Sequence, residues 1–550
     1  MSKSSDGYPA VELLFVGGVG DEVTGSSATL KILTQDGKFR YGMLDCGAYQ
    51  GEKESLNYEY PVKGEDIEFV LLTHAHFDHI GSLPLLYKQG FRGKVFTTSV
   101  VKSIAEPLLK DAAYINMCRA GLDKTTLKSI KQTINRITLE RNSAGDKDYK
   151  DMRNLDSAIE QLEDINSQLL YSQEDVEETM KLFTTVEPYK YIEVADGVYA
   201  KFIPTTHQNG ACKIELYVVD SDKTFSMVFS GDVGPSESLL YKTHAEETNE
   251  AVDCLVLESL HGVEPPIETL TQSINKLAQI LTNAVKRNKN VVLAGFSLDR
   301  NAGLIYLLNE FRRAGVDIDL VIDSPLTMTQ LAIYQGTYNN GNSKWFRNIG
   351  SNPFDTSTFK VIGSNRESKE SALHGEAPRV IVTASANGYG GRVVNYFANC
   401  IQRDDYVFVF CGWIVPGSPS YNLHEAKRGA LVELADGNRY IKKCETIRLH
   451  GLSSHGYFEE MVSHLNTYPA CSTLILNHAR EADKEQVEER ILKFFEGDIL
   501  SPRRLEAYEL TCGSARKLTA EETNRAFEQV LVNKIEQESW RIWFKCWRSC

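Results

Sequence analysis

Disulfide chemistry and membrane insertion are what this sequence is least equipped for. Its 550 residues hold eleven cysteines, scattered and without a Cys-x-x-Cys pair. An odd number with no regular spacing argues for free thiols in a reducing compartment, not for a stapled secreted fold. No window is long and apolar enough for a membrane span, and Met1-Ser2-Lys3-Ser4-Ser5-Asp6-Gly7 lacks the apolar core of a secretory leader. A cytoplasmic protein with no membrane span is therefore expected. Positive charge is scarce too: 60 Lys and Arg stand against 74 Asp and Glu, a net charge of -14. That weighs against holding nucleic acid by bulk electrostatics, although metal ions or a local basic groove can supply positive charge on an acidic background. Histidine is infrequent, with 12 in the chain, and the chemistry starts from how unevenly those are placed.

Three of them crowd into His74-Ala75-His76-Phe77-Asp78-His79. Phe69-Val70-Leu71-Leu72-Thr73 before the cluster is an apolar run of strand length, and Ile80 to Tyr87 after it reads as the opening of a helix. The cluster thus lies on a loop between a buried strand and a helix, where α/β proteins put chemistry. Residues two apart in extended backbone point the same way, so His74 and His76 can share one divalent ion, while Asp78 and His79, at the turn, can reach a second. The plain alternative is chance clustering of surface histidines, which is rare at this histidine frequency.

Further single groups stand at strand ends. Tyr41 to Leu44 runs into Asp45-Cys46-Gly47, Val198 to Pro204 into Thr205-Thr206-His207, and Phe225 to Phe229 into Ser230-Gly231-Asp232. An Asp at a strand end is usually a turn residue, but before the histidine loop Asp45 can orient a ligand. Between these segments, about 104–182 reads as charged amphipathic helix, most simply a solvated face. From 252 to about 410 strands and helices alternate, which predicts a mostly parallel sheet. Asp436-Gly437-Asn438 is a hairpin turn. Beyond it come Ser453-Ser454-His455 and the strand Leu474-Ile475-Leu476-Asn477 ending in His478. In the tail, a helix is expected from Thr519 to Cys550. Its Trp540, Trp543, Phe544 and Trp547 recur on one face, as packing on the protein, as a contact with a partner or a second copy, or as a helix on a membrane surface.

The order of these groups resembles the metallo-β-lactamase superfamily, whose HxHxDH signature is the histidine loop. An α/β domain inserted late in that core, with Glu258 before it and His455 and His478 after it, resembles the β-CASP nucleases. Phe296-Ser297-Leu298 followed by Arg300, Ile322-Asp323-Ser324-Pro325-Leu326 and Gly390-Gly391-Arg392 also fit. The resemblance implies an α/β fold: an αββα sandwich in two parts, 1–250 (with the helical insert) and 426–512, around a β-CASP domain at 251–425, with a C-terminal helix over 513–550. It implies two divalent ions, zinc foremost and manganese the alternative, with His74, His76 and His207 on one, Asp78, His79 and His478 on the other, and Asp232 bridging. Glu258 and His478 match the RNA-cutting branches, so the expected substrate is single-stranded RNA. Cleavage is expected to be endonucleolytic and to leave 5′-phosphate and 3′-hydroxyl ends.

A two-metal site makes hydroxide from water near neutral pH and neutralises charge on the phosphodiester. Asp78, His455 and Glu258 are the expected catalytic residues, with His455 the acid for the leaving oxygen. Arg300, Ser324, Ser385 and Arg392 are the expected phosphate contacts, with a structural ion pair or cap the alternative for each. The rival functions are a DNA nuclease, a small ester or thioester hydrolase and a non-catalytic RNA-processing subunit. Pattern departures at Gln208-Asn209, Asp299, Ser385-Ala386-Asn387-Gly388-Tyr389 and Pro416 to Ser420 point to altered cleft walls.

Overall fold

In the computed structural model, the described residues are 10–120, 122, 129–130, 132–137, 155–161, 169–220, 223–242, 252–339, 346 and 352–532. Two sheets form the core. The first runs, edge to edge, Ser514–Lys517, Ala507–Thr511, Val11–Gly17, Ser27–Leu33, Phe39–Leu44, Ile67–Leu71, Lys94–Thr98 and Phe183–Val186. The second runs Asp498–Leu500, Thr473–Asn477, Cys254–Glu258, Lys223–Phe229, Cys212–Asp220, Val198–Pro204 and Tyr191–Ala195.

The period of two along the strands explains why the sheets stack. Leu13 and Phe15 from the first sheet meet Phe202, Ile214 and Met227 from the second in one apolar layer. Their neighbours Leu14 and Val16 turn the other way, into a layer that holds Val101, Ile104 and Leu109 of the helix Ser99–Arg119. On the far side of the second sheet, Leu255, Leu257, Leu474 and Leu476 pack on Met461, Leu465, Val487 and Ile491 from the helices Phe458–Asn466 and Glu481–Ile491. The result is four layers, helix, sheet, sheet, helix.

A third sheet, Phe359–Val361, Asp319–Asp323, Arg379–Thr383, Asn290–Ala294, Tyr406–Cys411 and Glu445–Leu449, is parallel throughout. Its strands are apolar on both faces, and helices cover both. Val291 and Leu293 share a layer with Leu277 and Leu304, while Val292 and Ala294 share one with Tyr396 and Phe397. The hairpin expected at Asp436-Gly437-Asn438 joins Leu431–Glu433 to Arg439–Ile441.

Three boundaries differ from those expected. Cys254–Glu258, grouped by sequence with the inserted domain, lies between two strands of the second core sheet. Glu445–Leu449, grouped with the completing part of the core, pairs with Tyr406–Cys411 in the inserted sheet. Ser514–Lys517, expected as helix, is an edge strand paired with Ala507–Thr511, and the helix begins only at Ala520, running to Phe527. An apolar run marks a buried strand, but which neighbour it pairs with depends on residues hundreds of positions away. The aromatic face at Trp540, Trp543, Phe544 and Trp547 and much of 104–182 lie outside the described residues. Among the described residues, no helix is long and apolar enough to cross a membrane.

Candidate metal centre

Strand direction brings the centre together. Phe39–Leu44 and Ile67–Leu71 are parallel neighbours, so Asp45 and the histidine loop emerge side by side. Asp45 is fully buried, with φ 54°. Its Oδ1 accepts from Thr73 N (2.8 Å), and its Oδ2 accepts from Thr73 Oγ1 (2.8 Å) and pairs with His79 Nδ1 (2.7 Å). Thr73 Oγ1 also meets His74 Nδ1 at 3.0 Å. One carboxylate therefore orients two imidazoles and leaves the Nε2 atom of each facing inward. Gly47 is required by contact: a Cβ there would lie 1.7 Å from the carbonyl oxygen of Asp78.

In the second sheet Lys223–Phe229, Cys254–Glu258 and Thr473–Asn477 are adjacent and parallel. Their carboxyl ends deliver Asp232, Glu258 and His478 to one edge. Val198–Pro204 runs in the same direction, two strands over, and delivers His207. The loop after Glu445–Leu449 carries His455 in from the inserted domain, pinned by Gly456 N donating to Val233 O (2.6 Å) and by Ser454 O at 2.9 Å from His207 Nδ1.

The seven expected ligands converge. His74 Nε2 and His207 Nε2 lie 3.0 and 2.9 Å from His76 Nδ1, and 3.5 and 3.3 Å from Asp232 Oδ2. The other Asp232 oxygen, Oδ1, is 3.1 Å from His79 Nε2, and His478 Nε2 is 3.4 Å from Asp78 Oδ2. The donor atoms of His74, His76, His207 and Asp232 all lie within 4.8 Å of one another, as do those of Asp78, His79 and His478. A third such group, Asp232, Glu258 and His478, overlaps them.

The donor set fits divalent cations. His79 Nε2 and Asp232 Oδ1 face each other at 3.1 Å without forming an aligned hydrogen bond, and His478 Nδ1 is buried with none either, an arrangement that another ligand would satisfy better. Burial alone would discharge His79, yet the Asp232 and Asp45 carboxylates overcome it and push its pKa up. Against the same burial, Asp232, Asp78 and Glu258 push His478 up to about 10. Burial holds His76 down at about 4 and lowers His74 and His207. The site thus combines neutral imidazoles with carboxylates that need a counter-charge, and divalent cations meet both conditions.

His455 and Glu258 form a separate unit. His455 Nδ1 sits 2.6 Å from Glu258 Oε1, and Glu258 Oε2 accepts from Val233 N, the residue after Asp232. Burial would lower the His455 pKa, but the Glu258 charge and hydrogen bond raise it. Burial likewise opposes ionisation of Glu258, and the His455 charge outweighs it, bringing Glu258 down to about 2. The pair thereby favours the protonated form of an imidazole that lies beside the candidate metal ligands.

The four expected phosphate contacts fare differently. Arg392 is turned into structure: it ion-pairs with the fully buried Asp323 (2.7 Å) and donates to Ile362 O and Gly363 O. Ser324 caps the helix Pro325–Asn339, its Oγ accepting from Thr327 N and Oγ1. Ser385, half-buried, follows the strand Arg379–Thr383. Arg300 stays free. Its Nε is buried without a partner, and among the described residues no hydrogen bond or ion pair engages its guanidinium.

Two further residues shape the centre: Gln208, which the sequence marked only as a pattern departure, and His261, which it did not mark. Gln208, 1% exposed, accepts from Ala75 N (3.1 Å) through Oε1 and so fixes the backbone between His74 and His76. His261 stacks on Tyr457 (5.1 Å) and meets the His455 ring edge-on at 5.8 Å. The available signals were adjacency to His207 and a position three after Glu258.

Comparison with known proteins agrees with this architecture. The Metallo-beta-lactamase superfamily matches residues 44–91 and the Beta-Casp domain matches residues 302–423. Ribonuclease TTHA0252 of Thermus thermophilus is 22% identical over 467 residues, 84% of this chain and 92% of its own length. The RNase J-like protein of Methanocaldococcus jannaschii is 21% identical over 454 residues, 82% of this chain and 88% of its own. Transcription termination factor FttA of Lokiarchaeum sp. is 22% identical over 448 residues, 80% of this chain but only 63% of its own length.

Proposed function

We propose, on the premise that this chain carries a Beta-Casp domain set into a metallo-beta-lactamase superfamily core, that it is a metal-dependent ribonuclease of the cytoplasm. It hydrolyses phosphodiesters of single-stranded RNA, endonucleolytically, to 5′-phosphate and 3′-hydroxyl ends. The observation that carries the reading is the convergence of the seven candidate metal-ligand side chains with the His455–Glu258 pair between the strand ends of the two core sheets. The ribonuclease and RNase J-like names of its relatives support RNA as substrate.

His74, His76 and His207 would hold one ion and Asp78, His79 and His478 the other, with Asp232 placed between the two sets. Bound there, divalent ions, zinc foremost and manganese the alternative, supply Lewis acidity that lowers the pKa of the attacking water and offsets charge on the phosphoryl group. The protein does the rest. Asp45 and Thr73 keep His74 and His79 in one tautomer and orientation. Arg300 offers an unused guanidinium to a phosphate. Glu258 engages His455 at Nδ1, so the proton at Nε2 is the one given to the departing 3′ oxygen. The inserted domain contributes the strand Glu445–Leu449 whose following loop supplies His455.

The test is one 5′-labelled single-stranded sequence, made as RNA and as DNA, incubated with the protein after its metal content has been measured. Asp78→Ala runs alongside. RNA cleavage lost in the variant supports the proposal, and the first product lengths read out internal attack. Cleavage of DNA alone overturns the RNA assignment, and two bound metals with no cleavage of either strand shifts the function to a small-molecule hydrolase.

A further inference from the structure

All six strands of the inserted sheet are parallel, so their carboxyl ends lie on one edge. In spatial order, Arg379–Thr383 is followed in chain by Tyr389, Asn290–Ala294 by Phe296, and Tyr406–Cys411 by Trp413. Next to these, Glu445–Leu449 leads into the loop that carries His455. Three neighbouring strands therefore present aromatic residues on one edge, and all three are open to solvent: Tyr389 57%, Phe296 41% and Trp413 55% exposed. Exposed rings grouped along one sheet edge mark an interaction site, where singly scattered ones would not.

The row connects to the metal centre through contacts. Tyr457 stacks on His261, which meets His455. The charge of Arg300 acts on the Tyr457 hydroxyl, and its guanidinium lies against Gly412, where a Cβ would be 3.7 Å from Cζ. Trp413 is the next residue, with the Arg448 guanidinium over its ring at 5.2 Å and Arg448 Nε donating to Gly412 O (3.0 Å). Two cations, Arg300 and Arg448, thus lie beside Gly412 and the open ring of Trp413, and Tyr457 and His261 link them to His455. That pattern fits a single-stranded nucleic acid, whose phosphates take the cations and whose bases take the rings. A protein partner would explain the rings but not the unpaired guanidinium.

We propose that Trp413, with Phe296 and Tyr389 beyond it, forms a stacking platform for the bases of the RNA strand flanking the scissile phosphate. This rests on the ribonuclease reading. The platform is indifferent to base identity, since every base has a face to stack, and it discriminates single strands from duplexes, whose bases are already stacked.

The test uses the full chain in the Asp78→Ala background, so that the strand is not consumed. Affinity is measured for an RNA of about twelve nucleotides and for an abasic ribose-phosphate strand of the same length. The parent should prefer the base-bearing strand. Trp413→Ala should narrow that preference about 5- to 150-fold, the range for one stacked base, while Trp413→Phe keeps it. Equal weakening on both strands would overturn the proposal, since it marks a structural or purely electrostatic role. So would an unchanged preference, which would assign the surface to a different partner. A chain that cleaves RNA but shows either result has lost only the platform. A parent that binds no RNA, with an unsubstituted chain that cleaves none, overturns the ribonuclease reading and the platform with it.

Discussion

Asp45→Asn separates charge from shape at the centre. Asp45 adopts φ 54°, a left-handed conformation that Asn tolerates, so the turn is not strained by the change. What is lost is a fully buried negative charge facing Thr73 N, Thr73 Oγ1 and His79 Nδ1 at 2.7 to 2.8 Å. The amide nitrogen of Asn can only donate, so one of those donors is left facing another donor. A hydrogen bond to a charged group contributes about 1.5–3 kcal/mol, and removing the outer partner of a metal-bound histidine costs about 10- to 100-fold in affinity, roughly 1.4–2.7 kcal/mol. Zinc affinity measured by competition with a chromogenic chelator should fall by that factor, and the stabilisation that zinc confers in thermal unfolding should shrink with it. If the variant binds zinc as tightly as the parent and loses only metal-independent stability, Asp45 is a strand-end turn residue and its orienting role is refuted.

Gly47→Ala should abolish cleavage while leaving the sheets intact, because the new Cβ would lie 1.7 Å from the Asp78 carbonyl oxygen and must displace that ligand. Circular dichroism beside metal content checks this, and full metal occupancy would contradict it. Glu258→Gln should slow RNA cleavage about a hundred- to ten-thousand-fold but slow a nitrophenyl phosphodiester far less, since that leaving group needs no proton; equal losses would remove His455 from the acid role. Chelation should lower the melting temperature, and zinc restored to about 100 times its Kd should return about 2.7 kcal/mol of stability. No thermal response to metal would count against the centre. Lys484 is 1% exposed with no partner for Nζ, and burial, opposed only weakly by Glu481, lowers its pKa to about 8. Its charge destabilises the fold below that value, so Lys484→Met should add about 1–3 kcal/mol at pH 7. That gain should fade between pH 8 and the unfolded value near 10.5, because the unfolded chain alone binds the proton there. Denaturant melts at three pH values decide it, and a pH-independent difference would be the contrary result.

The candidate ligands that converge were legible because each is a local event: an apolar run of strand length, then a histidine or a carboxylate where the chain turns. The four-layer core was legible in the same way, through strands such as Val11–Gly17 whose alternate residues face two apolar layers. Where local pattern says nothing about partners, reading the chain fell short. Arg392 looked like a phosphate contact, and only the fold shows it committed to Asp323, 69 residues away.

The sequence by itself determined the order of the histidines and carboxylates that meet at the centre, and the strand–helix alternation that predicted a mostly parallel inserted sheet. Side-chain chemistry and the periods of helix and strand are written into neighbouring residues. Tertiary structure alone decided which sheet Cys254–Glu258 and Glu445–Leu449 join, that Arg392 is ion-paired while Arg300 Nε has no partner among the described residues, and that His261 and Tyr457 lie next to His455. Those outcomes depend on pairing and burial between segments far apart in the chain, and free energies of that kind belong to the packed molecule as a whole.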